Sequence, residues 1–125
     1  FIYPIHGRLT SPFGYRSDPF TGARSFHSGV DLAAPTGTSV KATLDGKIAE
    51  TGFNRIFGNY VIITHDRGYQ SLYGHLSAIY VKRGQYITQG TVIGAVGNTG
   101  YSTGPHLHLS IYKNGRLINP FSVLK

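Results

Sequence analysis

Cysteine, methionine and tryptophan are absent from this chain of 125 residues, and acidic residues are scarce, five Asp and Glu against twelve Lys and Arg. Without cysteine there is no disulfide framework and no thiol nucleophile, so any metal site must be built from histidine and carboxylate. No apolar run approaches the length needed to span a bilayer. No segment carries a sustained 3.6-residue period, which argues against an architecture of amphipathic helices. No signal-peptide pattern is present and the first residue is Phe1, so we expect a fragment of a longer precursor whose targeting information lies elsewhere. The excess of basic residues, +7 overall, favours anionic partners. No recognisable nucleic-acid signature accompanies it, and nucleic acid is not an expected partner.

What is present reads as strands and turns. The length suits one domain with one core, and apolar residues at 40% lie in the globular range. Seventeen glycines recur with turn signals every eight to twelve positions, the pattern of a mostly antiparallel β domain. Phe1–Arg16 is expected to be an extended opening segment with turns. Residues 17–26 read as a loop, with Asp18-Pro19 and Thr21-Gly22 as turn signals. Residues 39–44 and 47–51 read as a hairpin about Asp45-Gly46. Residues 52–58 read as a loop, 59–65 as a strand, and Asp66-Arg67-Gly68 as the turn into 69–73. Residues 91–96 form a strand, 97–104 a Gly-rich loop, and Lys113-Asn114-Gly115-Arg116 a hairpin turn.

The chain carries six histidines, and four of them fall in two motifs and one isolated position of interest. In Gly104-Pro105-His106-Leu107-His108-Leu109, the apolar run after Gly-Pro reads as a strand, so His106 and His108 share one face. Two imidazoles on one face beside apolar residues are costly to bury without partners, and a metal ion is the partner that suits them. Upstream, His27 and Asp31 stand four residues apart in what reads as extended chain, which gives them a common face too. Imidazole, carboxylate and imidazole form a known zinc set, and a catalytic zinc needs three protein ligands and an open position. His75 follows a strand with apolar neighbours, where a backbone carbonyl would ordinarily satisfy it. His6 and His65 are read as surface or turn histidines.

These residues together resemble the lysostaphin/LytM-type zinc endopeptidases. The matching motifs are His27…Asp31, Tyr73-Gly74-His75-Leu76 and Gly104-Pro105-His106-Leu107-His108. Ser11-Pro12-Phe13-Gly14-Tyr15-Arg16, Ala34-Pro35-Thr36-Gly37-Thr38 and Asn98-Thr99-Gly100 match the family's opening segment and turns, so the resemblance covers nearly the whole chain. It implies a single antiparallel β domain of the duplicated-hybrid-motif type, with long loops forming a substrate groove. It implies one Zn²⁺ per chain, bound by His27, Asp31 and His108, with His75 and His106 as the catalytic pair. Their roles, general base and oxyanion or water partner, are interchangeable at this level. It further implies hydrolysis of peptidoglycan cross-links in the bacterial cell envelope. A monomer is favoured, though the residues do not determine the oligomeric state, and room is left for a regulatory or pro-segment elsewhere in the full-length chain. Arg16, Asn59, Tyr60 and Tyr101 are the expected groove contacts. The stretch 18–22 looks like that of envelope enzymes from diderm bacteria, which favours D,D-endopeptidase action over cleavage of glycine bridges.

Three other readings compete. A wall-binding activator without hydrolytic activity would have lost metal ligands, whereas all five site residues are present. A biotinyl or lipoyl carrier shares hairpin grammar around Val81–Gly90 but needs no His and Asp in ligand-like spacing. A nucleic-acid-binding β domain would suit the charge and the sixteen Phe and Tyr, without a signature to support it.

Overall fold

The structure is a computed structural model that describes residues 1–17 and 21–125. Side-chain alternation organises it. In β11 (His106–Lys113), Leu107, Leu109 and Ile111 are fully buried on one face, while His106, His108 and Ser110 share the other. In β4 (Val30–Ala33), Val30 and Leu32 likewise enter the core and Asp31 takes the opposite face. The two strands pair antiparallel, with His108 opposite Asp31 and His106 opposite Ala33.

Among the described residues, ten strands form the main sheet. The remaining elements are β1 (Arg8–Ser11), β5 (Ser39–Lys41), β6 (Gly46–Asn54), β7 (Gly58–Thr64), β8 (Tyr69–Ile79), β9 (Tyr86–Ile87), β10 (Val92–Val96) and β12 (Arg116–Ile118). The order is β1-β4-β11-β8-β7-β6-β9, with β12 on β11 and with β10 joining β5 to β8. Every pairing is antiparallel. β2 (Gly14–Ser17) and β3 (Arg24–His27) form a separate two-stranded ribbon. No α-helix occurs among the described residues, only 3₁₀ turns at Asp66–Gly68 and Pro120–Ser122. The mostly antiparallel β architecture expected from the sequence is therefore what the chain adopts.

Several local expectations need correction. Residues 17–26 are not simply a loop: Tyr15 and Phe26 pair across β2 and β3, rings 5.1 Å apart and edge to face, and Phe13 packs on Phe26 at 5.2 Å. That cross-strand aromatic contact holds a ribbon whose long connection hides its periodicity. Asp18-Pro19-Phe20 within that expected loop lies outside the described residues. The hairpin expected about Asp45-Gly46 does not form. β5 pairs with β10, and β6 pairs with β7 and β9. Asp45 instead takes the Gln89 amide on its carboxylate at 2.6 Å. The loop expected over 52–58 shrinks to Arg55–Phe57, because Asn54 Oδ1 accepts from the amides of Ile56 and Phe57 at 3.0 and 2.7 Å and closes a tight turn.

His65 is the clearest departure. It is 5% exposed rather than on the surface. Its Nδ1 donates to the Asp45 carbonyl at 2.7 Å, and its Nε2 meets Ser71 Oγ at 2.8 Å. Ser71 Oγ in turn lies 2.8 Å from the Tyr73 hydroxyl, which also contacts Thr43 Oγ1 at 2.8 Å and accepts from the Thr43 amide at 3.0 Å. Tyr73 is fully buried, so this chain of hydroxyls lets a large aromatic side chain fill the core without stranding its oxygen. Burial pushes the His65 pKa below its ordinary 6.5, against the opposing pull of the Asp45 carbonyl.

Two outcomes follow for stability. Tyr73→Phe leaves Thr43 and Ser71 short of a partner in the core and should cost about 1–3 kcal/mol in urea unfolding. The fold favours neutral His65, so its contribution is complete above the unfolded value near 6.5 and is lost as pH falls below it. With chelator present throughout, the urea midpoint of the parent chain should drop on acidification across that range. A His65→Asn variant should show a shallower drop; equal slopes would remove His65 from the acid response.

Candidate metal centre and catalytic groove

The groove is assembled where strands remote in sequence meet. His27 ends β3 and Asp31 lies in β4, with a bend at Ser28-Gly29 between them. They therefore do not share a face of one continuous strand, as their spacing alone predicts. The bend brings them together instead. It presses Gly29 against β11 so closely that a Cβ there would meet the Leu109 carbonyl oxygen at 2.1 Å. His27 Nε2 then lies 3.2 Å from Asp31 Oδ2. Across the β4–β11 pairing, His108 Nδ1 lies 2.9 Å from Asp31 Oδ1. Ligand atoms of His27, Asp31 and His108 all fall within 4.8 Å of one another, so this trio could hold a metal ion.

The donor set fits zinc on chemical grounds. Ligand atoms held tetrahedrally at about 2.0–2.1 Å from zinc lie roughly 3.3 Å apart, close to the observed separations. His27 Nδ1 donates to the Pro12 carbonyl at 2.9 Å, which fixes its tautomer. The lone pair of neutral Nε2 is then aimed at a carboxylate oxygen. Two acceptors facing each other are repulsive unless a proton or a cation stands between them. His27 responds with a pKa above 6.5: burial works to lower it, but Asp31 and Pro12 outweigh that effect. Burial likewise works to raise the Asp31 carboxyl, yet hydrogen bonds from His108 and His27 hold it well below the usual carboxylate range. His108 is lowered, chiefly by burial, despite Asp31. Its Nε2 meets Ser110 Oγ at 2.7 Å and Ser28 Oγ at 3.4 Å. A hydroxyl donates or accepts, so Ser110 suits either tautomer of His108.

His106 stands beside this trio, with Nε2 3.7 Å from Asp31 Oδ1 and Nδ1 donating to the Gly104 carbonyl at 2.8 Å. The ring of His75 lies 4.6 Å from that of His106. His75 has φ +63 inside β8, a left-handed conformation that costs an L-residue about 1–3 kcal/mol. Sheet topology explains it. β8 pairs with β11 up to Gly74 and with β10 from Leu76 onward, and His75 sits at the fork. There the register with β7 slips, four residues of β8 (Tyr73 to Leu76) opposing three of β7 (Val61 to Asn59), and the bulge re-aims the side chain. Its Nδ1 donates to the Thr99 carbonyl at 2.7 Å, leaving Nε2 free. Burial lowers its pKa, so it is neutral at neutral pH.

The groove has a volume of about 800 Å³ and is lined by His27, Asp31, His75, His106 and His108 together. Arg16 and Tyr101 also line it, Arg16 with Nη1 on Ser11 Oγ and Tyr101 at 85% exposure. Asn59 and Tyr60 do not line it. Asn59 donates from Nδ2 to the Leu76 carbonyl at 2.9 Å, and Tyr60 donates to Glu50 Oε1 at 2.6 Å. His6 is exposed and lies outside the groove. Sequence reasoning passed over Ser110, Pro12, Thr99 and Phe57, whose ring lies 5.3 Å from that of His108. Ser110 was within reach of the two-residue period that links His106 to His108. The Pro12 and Thr99 carbonyls carry no signal, because every residue has one.

Comparison with known proteins identifies the family of the chain. The profile of peptidase family M23 matches residues 25–120. A relative from Neisseria meningitidis serogroup B, DD-carboxypeptidase/endopeptidase Mpg, is 47% identical over 119 residues, 95% of this chain and 27% of that protein. Peptidoglycan DD-endopeptidase ShyA of Vibrio cholerae is 42% identical over 120 residues, 94% of this chain and 28% of that protein. The chain thus spans little more than a quarter of the length of these curated relatives. Among solved structures, a zinc-containing peptidase from Vibrio cholerae superposes with a TM-score of 0.88 at 38% identity, over 94% of this chain and 37% of that one. With its fold, its His-Asp-His trio and the match across most of its length, this chain belongs to peptidase family M23.

Proposed function

We propose that this chain is a zinc-dependent endopeptidase that hydrolyses peptide cross-links of bacterial peptidoglycan, with His27, Asp31 and His108 binding one Zn²⁺. The observation that carries the reading is the pinned orientation of the histidines. His27, His75 and His106 each give Nδ1–H to a backbone carbonyl, so in the neutral ring Nε2 carries the lone pair, on His27 facing Asp31 Oδ2 at 3.2 Å. Bound zinc would supply Lewis acidity toward the scissile carbonyl and a nucleophilic water at neutral pH. His106 Nε2, beside the trio, takes the proton from the attacking water as general base and returns it to the departing amine. His75, kept neutral by burial, offers its Nε2 lone pair to orient that water. Ser110 and Pro12 hold the ligand rings in place from behind.

Stem-peptide cross-links are the favoured substrate. Arg8 and Arg16 both line the groove, and among the described residues no carboxylate forms an ion pair with either. Such guanidinium groups suit the carboxylates of stem peptides better than an uncharged glycine bridge. The names of the relatives from Neisseria and Vibrio point the same way. The site of action is then the bacterial cell envelope. A segment elsewhere in the full-length protein would regulate access to the groove.

The decisive experiment incubates the metal-loaded chain with purified peptidoglycan of direct and glycine-bridged types, with and without chelator, and identifies products by mass spectrometry. Chelator-sensitive release of stem-peptide fragments from the direct type is expected. Cleavage confined to glycine bridges would overturn the specificity. No cleavage of either, with zinc bound, would overturn active hydrolysis by this chain and favour a masked enzyme or a wall-binding activator.

Asp31→Ala should abolish zinc binding and turnover together, read by metal analysis and product release. His106→Ala should retain zinc while kcat falls by about 10²–10⁴-fold, the scale of a lost general base. Stoichiometric zinc loss in His106→Ala would sink the division of roles. His6→Ala is the control and should turn over like the parent.

A further inference from the structure

Among the described residues, three besides glycine have positive φ: Arg67, Asn114 and His75. Arg67 and Asn114 lie in turns between strands, whereas His75 lies within β8. A side chain in that conformation keeps its aim only if its surroundings hold it. Two bonds reach His75 directly, its amide to the Phe57 carbonyl at 2.5 Å and its Nδ1 to the Thr99 carbonyl at 2.7 Å. The second acceptor belongs to the Gly-rich loop that follows β10, outside any strand. Its position therefore has to be fixed by something other than a sheet ladder.

The Thr99 hydroxyl fixes it. It donates to the Leu76 carbonyl at 2.8 Å and accepts from the Asn59 amide at 3.1 Å. Asn59 and Leu76 are register partners in β7 and β8, and Asn59 Nδ2 also donates to the Leu76 carbonyl at 2.9 Å. One hydroxyl thus bridges two strands at the residue next to His75, and the carbonyl of the same threonine takes the imidazole proton. The backbone is shaped to admit this. Gly58, at φ +62, lies so near Thr99 that a Cβ there would meet Oγ1 at 2.3 Å.

We propose that Thr99 is a positioning residue for His75, its hydroxyl clamping the carbonyl that holds the Nδ1–H tautomer and so aims Nε2 into the groove. This rests on the reading of His75 as part of the hydrolytic site. Asn59, expected from sequence to touch substrate, serves the clamp instead.

The test compares Thr99→Val, which removes the hydroxyl at nearly constant shape, with Thr99→Ser, which keeps it, both metal-loaded. Steady-state kinetics on a purified cross-linked muropeptide is paired with metal analysis and with NMR of the His75 ring Nδ1–H. In Thr99→Val, kcat should fall by about ten- to a hundredfold, as misplacement of a catalytic group does. KM and zinc content should hold, and the ring proton signal should weaken or shift. Thr99→Ser should restore both kcat and the signal. Parent-like kcat with an intact signal in Thr99→Val, a loss confined to KM, or a serine variant as poor as the valine variant would each overturn the proposal. If Thr99→Val loses its fold, Thr99→Ala takes its place under the same criteria. Should the parent chain cleave no fragment, the hydrolase reading falls, and the ring proton signal alone decides the clamp.

Discussion

The Asp31 carboxylate sits between two imidazoles, 3.2 Å from His27 Nε2 and 2.9 Å from His108 Nδ1, and the arrangement of the groove follows from that contact. A partly buried carboxylate is expensive unless its charge is met. Here His108 meets one oxygen, and the tautomer of His27 fixed by Pro12 leaves the other facing Nε2 at a place that a proton or a cation would fill. The β4–β11 pairing makes the contact by placing Asp31 opposite His108, and the bend at Gly29 brings His27 to the other oxygen. The pairing and the bend are both backbone features. Side-chain chemistry is imposed by strand register, which leaves the ligand atoms little freedom to move apart.

The second organising feature is the fork in β8. One strand serves two neighbours, β11 and β10, and changes partner at a single residue. The conformational cost of that change falls on His75. Strain concentrated at a residue facing the groove fits a site in which orientation matters more than local stability. The remainder of the sheet can bear that cost, since its core is apolar and the buried polar groups around Tyr73 are all satisfied.

Much of the site was legible in the residues themselves. His106 and His108 share a face because the strand period is two, and that inference needs only the apolar run around them. Asp31 and His27 were identified correctly as neighbours, though for the wrong local reason, since a bend rather than alternation joins them. His65 was misjudged because its position beside a turn resembles a surface site, while its partners, Asp45 and Ser71, come from a neighbouring loop and the next strand. Asn59 is expected from the sequence as a groove contact, whereas its side-chain amide bonds the Leu76 carbonyl across the sheet.

By itself the sequence determined the kinds of chemistry available: imidazoles and a carboxylate in place of thiols, a basic surface, and strands whose alternating residues separate a polar face from the core. Those properties are local, written in residue type and in a period of two. The tertiary structure alone decided that Asp31 meets His108, 77 residues away, and that His75 turns left-handed at a fork. It also decided which nitrogen of each ring faces the groove. These depend on which distant strand supplies each hydrogen-bond partner. Backbone carbonyls such as those of Pro12, Thr99 and Gly104 are alike at every residue, so only folding selects the ones that hold a histidine.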